Sequence, residues 1–581
     1  MSVLTADGGE KQGLFGDRLQ LGAFLYVLLI AVIGFLVIYP LFTLVMTSFQ
    51  VGALGRETTT GIGNWYEAFR NDQLSSAFWS TMSLSFARQG ISLVLGIAIA
   101  WVIARTNLPG RGWLEVGFWV ALFMPALPVT MAWVLLAGGK TGIINMWISD
   151  LFPIITEPVF NVFSWWGIVW VHVVSSTLPV KVFLLAPALR SIDSSLEESS
   201  RACGSSMIGT LTRIVVPIMI PAIVMVLLLG MIRSMQAFEI ELILGPGERI
   251  DVYSTLIYRL VKQEPPLYGV ASVLSILFVT LIIPFVVAQH WYGGRHSHST
   301  LGGKFTARVQ DLGKWKWPIF SVLLAIVLVI TVLPLVMLVV GSFMKIFGVF
   351  DLPNPWTTRH WLAALSRTDF THSLSNTLIL GAGSAVVGMV LFSIIAYVTI
   401  KTRYAARGFL DFLTWLPTMI PGIVISLGFL QMFLSAPIFR PIYGTMWVLI
   451  IAVVLSNLTV GVQLIKTNLI QLSAELEEAS WASGGSRLFT FYKVVLPLIA
   501  PSVIITGLQT FATAVSVVSV IAMLGTGPNQ PLSILQLVYL DSGRYEPATI
   551  VGLLILVITI LASLLAKLVS DRYGLGRAKM T

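Results

Sequence analysis

The chain has 581 residues, of which 56% are hydrophobic and only 11% are charged. Soluble domains carry roughly 25% charged residues, so this composition excludes a water-soluble globular protein and indicates a membrane protein. The net charge of +9 does not indicate nucleic-acid binding, because the basic residues are spread thinly between apolar runs. The single cysteine, Cys203, excludes an intrachain disulfide.

The apolar segments predict an all-α polytopic membrane protein with twelve transmembrane helices. The first apolar run, which follows twenty polar residues, is too long for a signal peptide and is expected to remain as a span. A bilayer core about 30 Å thick takes roughly 20 apolar residues per helix. The predicted spans of the first half are 21–48, 77–104, 113–137, 164–188, 214–238 and 268–291. Those of the second half are 317–344, 374–400, 410–434, 445–467, 494–524 and 548–569.

Prolines interrupt the third span of each half. Pro125 and Pro128 lie within this span in the first half, and Pro417 and Pro421 lie within its counterpart. Because proline removes a helical hydrogen bond and its ring clashes with the preceding turn, these two spans are expected to be bent or broken.

The distribution of lysine and arginine predicts the orientation. With the N-terminus inside, about 22 basic residues lie on the cytosolic side and about 11 outside, so both termini are expected in the cytosol. The most basic connection is the central linker, which contains Arg295, Lys304, Arg308, Lys314 and Lys316. We therefore expect a cytosolic N-terminal segment, a six-span repeat, a basic linker, a second six-span repeat and a cytosolic tail, at residues 1–20, 21–291, 292–316, 317–570 and 571–581.

The two halves resemble each other in order along the chain. Residues 39–49 resemble residues 333–343, and the Trp-Tyr-Glu-Ala-Phe stretch from Trp65 resembles the stretch from Trp361. Each half carries an even number of predicted spans, so the repeats are expected to be parallel and related by an axis along the membrane normal.

The strongest motif is a polar loop between the fourth and fifth spans of each half. The first copy, Leu196-Glu-Glu-Ser-Ser-Arg-Ala-Cys-Gly204, is followed after nine residues by Ile214-Val-Val-Pro217. The second copy, Leu476-Glu-Glu-Ala-Ser-Trp-Ala-Ser-Gly484 with Val494-Val-Leu-Pro497, lies 280 residues later at every position. The pattern predicts a short helix, a turn and a second helix that enters the membrane from the cytosolic side.

Local signals in this loop support that interpretation. Ser194 and Glu197 have the spacing of a capping box. Gly204 and Gly484 can adopt the left-handed conformation that ends a helix. The loop is therefore expected to be a compact amphipathic element close to the bilayer.

At these residues the chain resembles the permeases of type I ABC importers, which have the MetI-like fold. The signature of that family is a cytosolic Glu-Ala-Ala, three residues, Gly, nine residues, Ile-x-Leu-Pro loop, and the loop forms the coupling helix that docks on a separate nucleotide-binding subunit. Ser199, Ser200 and Ser480 stand where the family has alanine. By position, the resemblance assigns coupling to the ATPase to Glu197, Glu198, Ser199, Gly204, Pro217, Glu477, Glu478, Ala479, Gly484 and Pro497.

The resemblance implies a transport permease of the bacterial inner membrane that works by alternating access and is not itself an enzyme. The implied partners are two nucleotide-binding ATPase subunits, which bind ATP and Mg, and a periplasmic solute-binding protein. No cofactor, catalytic residue or metal ligand is expected in this chain. The Gly-Gly-Lys-Thr stretch that ends at Thr141 lacks the first glycine of a phosphate-binding loop.

Charged residues within or beside spans are candidates for the translocation path, because they are costly in lipid. Arg88, Arg233, Glu239 and Glu241 are the candidates, and the counterpart of the Arg233–Glu241 stretch in the second half carries no charge. The two glutamates could meet a cation, gate the outer mouth, or simply mark where the fifth span reaches water. The two arginines would suit an anion or could pair with these acids from another helix.

The remaining polar signals are weak. The six histidines are expected in loops or near span ends, and His290, His296 and His298 are interpreted as solvated linker residues rather than a metal site.

The stretch from Phe238 to Pro246 looks most like the ferric iron permease group, which is close to aminoethylphosphonate, polyamine and thiamine permeases. Ferric iron is therefore the expected cargo, with those three as alternatives. A twelve-span secondary transporter driven by an ion gradient is the alternative from another class.

Overall fold

The computed structural model describes residues 9–52, 59–155, 157–296, 309–402 and 404–572. This part of the chain is almost entirely helical, with one pair of short antiparallel strands, Gln50–Val51 and Thr59–Thr60. Nine of its helices are long and apolar enough to cross a membrane, and three bent helix pairs raise the count to as many as twelve. The predicted number of spans matches the larger count. His298, Lys304 and Arg308 lie outside the described residues.

The helices follow the same order in the two repeats. The first repeat contains Gly9–Ser48, Gly63–Arg70, Asp72–Arg105, Arg111–Leu122, Ala126–Ala137, Ile143–Leu151, Trp165–His172, Leu178–Arg190, Ser194–Ala202, Met207–Thr210, Val216–Met235, Glu239–Leu244, Tyr253–Lys262 and Tyr268–His296. The second contains Lys316–Ile330, Val332–Ser342, Arg359–Ser366, Thr368–Lys401, Arg407–Met419, Gly422–Ser435, Met446–Ser456, Leu458–Gln471, Glu475–Ala482, Arg487–Thr490, Leu496–Ser516, Leu532–Asp541 and Tyr545–Arg572. Single π-helical turns occupy Val173–Thr177, Leu211–Val215 and Phe491–Val495.

The third span of each repeat is broken, as the prolines predict. Arg111–Leu122 and Ala126–Ala137 meet at 105°, and Arg407–Met419 and Gly422–Ser435 meet at 108°. Pro125 and Pro421 lie in the two breaks, each directly before the second helix of its pair. Both have an extended backbone conformation.

The predicted fifth span of the second repeat, 494–524, is wrong at its outer end. The helix ends at Ser516, and most of residues 517–524 form turns. The apolar side chains of this segment, such as Ile521 and Leu524, are fully buried within the protein. Their hydrophobicity therefore reflects burial in the bundle and not the continuation of a membrane helix.

The first span of each repeat packs on the broken span of the other repeat. Gly9–Ser48 contacts Gly422–Ser435, and Val332–Ser342 contacts Ala126–Ala137. The approach at Gly428 is so close that a Cβ there would lie 2.9 Å from the carbonyl oxygen of Pro40. The first spans therefore join the two repeats by packing across them.

Candidate coupling loops and translocation path

The two copies of the polar motif fold in the same way. We call residues 193–217 the first motif loop and residues 473–497 the second motif loop. Helices Ser194–Ala202 and Glu475–Ala482 are followed by Gly204 and Gly484, whose φ angles are +86° and +85°. Both glycines have the left-handed conformation that the sequence predicts, and each allows the chain to turn into the next helix.

The predicted capping box of the first motif loop is wrong. The helix begins at Ser194, and the carboxylate of Asp193 accepts a hydrogen bond from the backbone N–H of Ser195 at 3.0 Å. Asp193 is therefore the N-cap residue. The Glu197 carboxylate is held by side chains from outside the loop.

Equivalent hydroxyl pairs brace the two motif loops. Ser200 Oγ lies 3.1 Å from Thr210 Oγ1, and Ser480 Oγ lies 2.8 Å from Thr490 Oγ1. Each pair joins the motif helix to the short helix that follows the glycine turn. Two of the serines that replace the alanines of the signature thus have a structural role.

Glu197 and Glu477 are buried and bind basic residues at the end of the second span. Arg105 Nη2 lies 2.6 Å from Glu197 Oε1, and Lys401 Nζ lies 3.2 Å from Glu477 Oε1. Tyr397 also donates its hydroxyl to Glu477 at 3.0 Å. These ion pairs attach each motif helix to its own repeat and place the loop at the end of the bundle where the second span finishes. The signal for them was a basic residue that ends the equivalent span in each half.

The linker between the repeats is attached to the same end of the bundle. The N–H of Gln310 donates to the Arg105 carbonyl at 2.8 Å, and the N–H of Asn107 donates to the Gln310 carbonyl at 2.9 Å. The Gln310 side chain donates to Glu197. The backbone N–H of Gly313 and the Asn107 amide hold the pKa of Asp311 below its usual value.

A second face of each motif loop is exposed. Glu198 and Glu478 point outward, unlike the neighbouring buried glutamates. Apolar side chains at equivalent positions are exposed to the same extent, at 45% for Leu196 and Leu476 and at 74% and 71% for Ile208 and Leu488. The other exposed residues of the predicted set are Ser199, Gly204, Pro217, Ala479, Gly484 and Pro497.

A buried polar network joins four helical segments of the first repeat. Arg88 Nη1 lies 2.8 Å from Glu241 Oε1, and His172 Nε2 lies 2.8 Å from the same oxygen. Arg88 also donates to the hydroxyl and to the carbonyl of Ser234. The structure therefore brings the predicted residues Arg88 and Glu241 together, and it shows that Glu241, which is 1% exposed, does not mark where a span reaches water.

Sequence reasoning missed two members of this polar interior. His172 lies within the fourth span and is buried, so the expectation that all six histidines lie in loops or near span ends is wrong. Lys181, in the same span, is 1% exposed and donates to the side-chain oxygen of Gln89. Both are ionisable residues inside the predicted span 164–188, and this was the signal that could have found them.

Of the other two predicted path residues, Glu239 contacts the second repeat. Glu239 Oε1 accepts a hydrogen bond from the backbone N–H of Ser519 at 3.2 Å. Gln236, between Arg233 and Glu239, donates to the Thr418 carbonyl at 2.9 Å. Arg233 is exposed and has no ion pair among the described residues.

The described residues contain no group of three or more His, Cys, Asp or Glu side chains that could hold a metal ion. His290 instead packs its ring edge-on against Trp415 of the second repeat, with the ring centroids 5.2 Å apart. This contact gives His290 a packing role between the repeats.

Two parallel helical repeats, each with the same loop at the same end, define a duplicated polytopic membrane protein. The model of the family described as "Binding-protein-dependent transport system inner membrane component" matches residues 92–297 and 388–574, one match in each repeat, so the chain belongs to this family. It is a fused two-repeat permease of the ABC importer class, and the family is that of the membrane subunits.

Similar proteins cover the whole chain or one repeat of it. A probable ABC transporter permease of Sinorhizobium fredii is 25% identical over 97% of this chain and 98% of its own length. The ferric transport system permease of Actinobacillus pleuropneumoniae is 26% identical over 94% of this chain and 77% of its own length. The molybdenum transport system permease of Escherichia coli is 28% identical over 38% of this chain and 94% of its own length. A solved bacterial alginate ABC transporter in complex with an alginate-bound periplasmic protein is 21% identical, with a TM-score of 0.41, over 50% of this chain and 99% of the matched chain.

Proposed function

We propose that the two motif loops are the coupling elements through which two separate ATPase subunits drive this permease. The supporting observation is that both motif loops expose the same face, with acidic and apolar side chains at equivalent positions. A buried ion pair on the other side of each motif helix fixes the loop to its own repeat. Exposed apolar side chains at an aqueous surface favour a protein partner. The partner subunits would bind ATP and Mg, and this chain would contribute no cofactor.

The permease is proposed to lie in the bacterial inner membrane with the motif loops, the linker and both termini in the cytosol. The excess of basic residues on that side supports this orientation. The contacts of Gln310 with Arg105 and Glu197 support a common side for the linker and the first motif loop. A periplasmic binding protein would then deliver the cargo to the opposite end.

Transport would proceed by alternating access between the repeats. ATP-driven closure of the ATPase subunits would move the two motif loops together, and the buried pairs of Glu197 and Glu477 would transmit that movement to the second spans. The contact of Glu239 with Ser519 would have to open for cargo to pass. Arg88, Glu241 and His172 would position the turn that carries Glu239.

Ferric iron is the proposed cargo, and the similarity to ferric transport system permeases over most of the chain supports it. A small oxyanion such as aminoethylphosphonate is the second candidate. It is favoured by Arg233, an exposed cation three residues before Gln236, which contacts the second repeat. Polyamine and thiamine are less well matched to this residue, because both are cationic.

The coupling role is tested by changing Glu198 and Glu478 together to Arg. We expect the variant to insert normally but to lose cargo uptake and co-purification with the ATPase subunits, because two repulsive charges enter the docking faces. Glu67→Arg is the matched control, since Glu67 is exposed at the opposite end of the bundle. Wild-type uptake by the double variant would refute the coupling role.

Vesicle reconstitution separates this proposal from a secondary transporter. We expect uptake to require added ATPase subunits, binding protein and ATP. Uptake by the chain alone, driven by a proton or sodium gradient, would favour the secondary transporter instead.

A further inference from the structure

We infer that the path between the repeats recognises an anionic oxygen group of the cargo, such as a carboxylate, phosphate or phosphonate, and that Arg233 is the residue that contacts it. The inference rests on the proposed transport function and specifies the chemical class of the cargo. Only the first repeat has a cation at this position, because the equivalent residue of the second repeat is Thr513, which is uncharged.

The contact between Glu239 and Ser519 locates the axis that relates the repeats. Glu239 and Ser519 are 280 residues apart, which is the spacing of equivalent positions in this region. Two equivalent positions of parallel repeats can touch only beside the axis that relates them. The hydrogen bond from the Ser519 N–H to Glu239 Oε1, 3.2 Å long, therefore crosses the axis and closes the path at that level.

Arg233 lies a short distance along the chain from the Glu239–Ser519 contact. Helix Val216–Met235 runs from the first motif loop toward Glu239, so Arg233 lies on the motif-loop side of the closed contact. Its neighbours Ile232 and Ser234 are buried, whereas Arg233 itself is exposed. One turn further on, Gln236 reaches the Thr418 carbonyl of the second repeat. A guanidinium at this depth is costly in lipid and is accommodated by a water-filled path.

Basic side chains outnumber acidic ones in the part of the first repeat that contains Arg233. The Glu241 carboxylate is neutralised by Arg88, at 2.8 Å. Lys181 is buried beside Gly230, where an added Cβ would lie 2.8 Å from its Nζ, and it has no acidic partner among the described residues. Glu239 is the remaining acid of this stretch. The arginine therefore lies in a region with excess positive charge.

This arrangement selects the class of cargo. A bare ferric ion would need several oxygen or nitrogen ligands, which the described residues do not group together. A guanidinium instead binds the paired oxygens of a carboxylate, phosphate or phosphonate. Two sources have this chemistry, a free oxyanion and a ferric ion carried as an anionic chelate.

The inference is tested first by thiol labelling, which needs neither cargo nor ATPase. Cys203 is the single cysteine, so Cys203→Ser gives a thiol-free background in the full-length chain. Thr513→Cys then places a thiol at the position equivalent to Arg233. We expect an anionic methanethiosulfonate to react about tenfold faster than a cationic one, relative to their rates with a free thiol, because of the nearby guanidinium.

Adding Arg233→Gln should remove most of that preference, whereas Arg233→Lys should keep it. Lys140→Gln is the control, since it removes an exposed positive charge that faces Glu157 in the loops that follow the third span. A preference for the anionic reagent that survives Arg233→Gln would overturn the inference. The inference would also be overturned if neither Thr513→Cys nor a separate Arg233→Cys variant reacts with either reagent.

The source of the anionic group is tested in proteoliposomes that contain the full transporter. The probes are ⁵⁵Fe with ¹⁴C-citrate, and aminoethylphosphonate. Uptake of iron and citrate together indicates a chelate, and uptake of the phosphonate indicates a free oxyanion. Uptake of iron without citrate would contradict the inference. Labelling as expected without any ATP-dependent uptake by the wild type would instead refute the proposed function and leave the charge of the path established.

Discussion

In the motif loops, equivalent positions of the two repeats make equivalent contacts. Gly204 and Gly484 share one backbone conformation, and the Ser200–Thr210 pair has its counterpart in Ser480–Thr490. The interior of the repeats is different. The positions equivalent to Arg88, Gln89, His172, Lys181, Ser234 and Glu241 are occupied by Ser384, Ala385, Ala452, Gly461, Ala514 and Ile521.

This difference shows which constraint acts on each region. Under the proposed coupling role, both loops fit the same kind of partner, which explains why their geometry is kept. Under the proposed transport role, the path between the repeats needs its selective charges only once, and the second repeat replaces them by close packing. At the position of Lys181 it has Gly461, and the space is filled by the ring of Phe392, whose counterpart in the first repeat is small. Four predictions test this comparison.

The largest effect is expected for Arg88→Met. It leaves the Glu241 carboxylate buried with only His172 beside it, which should cost about 3–5 kcal/mol of stability. The equivalent change, Ser384→Ala, should be nearly neutral, because the Ser384 hydroxyl is buried without a hydrogen-bond partner. Thermal unfolding of the purified protein in detergent measures both. Combining Arg88→Met with Glu241→Met should recover part of the loss, and a double variant less stable than Arg88→Met would contradict this explanation.

A smaller and unequal pair of effects is expected at the two motif-loop ion pairs. Arg105→Met removes both guanidinium contacts of Glu197 and should cost about 3 kcal/mol. Lys401→Met should cost about half as much, because it removes one ammonium contact where Arg105→Met removes two, and each glutamate keeps one neutral donor, Tyr397 for Glu477 and Gln310 for Glu197. Hydrogen exchange in helices Ser194–Ala202 and Glu475–Ala482 reports the local loss. Equal exchange in the two variants would show that the second guanidinium contact of Arg105 does not stabilise the helix.

The glycine turns should respond equally in the two repeats. Gly204→Ala and Gly484→Ala should each cost about 1–2 kcal/mol, because the left-handed conformation strains an alanine. No atom lies within 4 Å of a Cβ added at either position, so the backbone alone decides the cost. The shifts in unfolding temperature should therefore agree closely. A clear difference between them would show that the two loops are not equivalent.

The smallest effects are expected at the bracing serines. Ser200→Ala leaves the buried Thr210 hydroxyl without its partner and should cost about 1 kcal/mol. Ser480→Ala should cost less, since Thr490 still donates to the Ser486 carbonyl at 3.0 Å. Unfolding temperatures of the two single variants give this comparison. Thr490→Val is a useful control, because it removes the Thr490 hydroxyl and with it both of its hydrogen bonds. The loss of stability in the second repeat should then rise to that of Ser200→Ala in the first.

Residue patterns alone predicted the membrane class, the parallel repeats, the broken third spans and the equivalent motif loops. Each of these depends on a local property: apolar length, the missing N–H of proline, or the conformational freedom of Gly204 and Gly484. Local properties are written in a short stretch of chain and can be recognised there.

The packing of the helices, and not the residue pattern, sets which charged residues meet. Arg88 and Glu241 are 153 residues apart, and Arg105 and Glu197 are 92 apart. The sequence likewise did not separate the buried Glu197 from the exposed Glu198, because adjacent helical residues point in different directions and their surroundings are set by other helices. Ion pairs in this protein form across packed helices, where separation along the chain carries no information about separation in space.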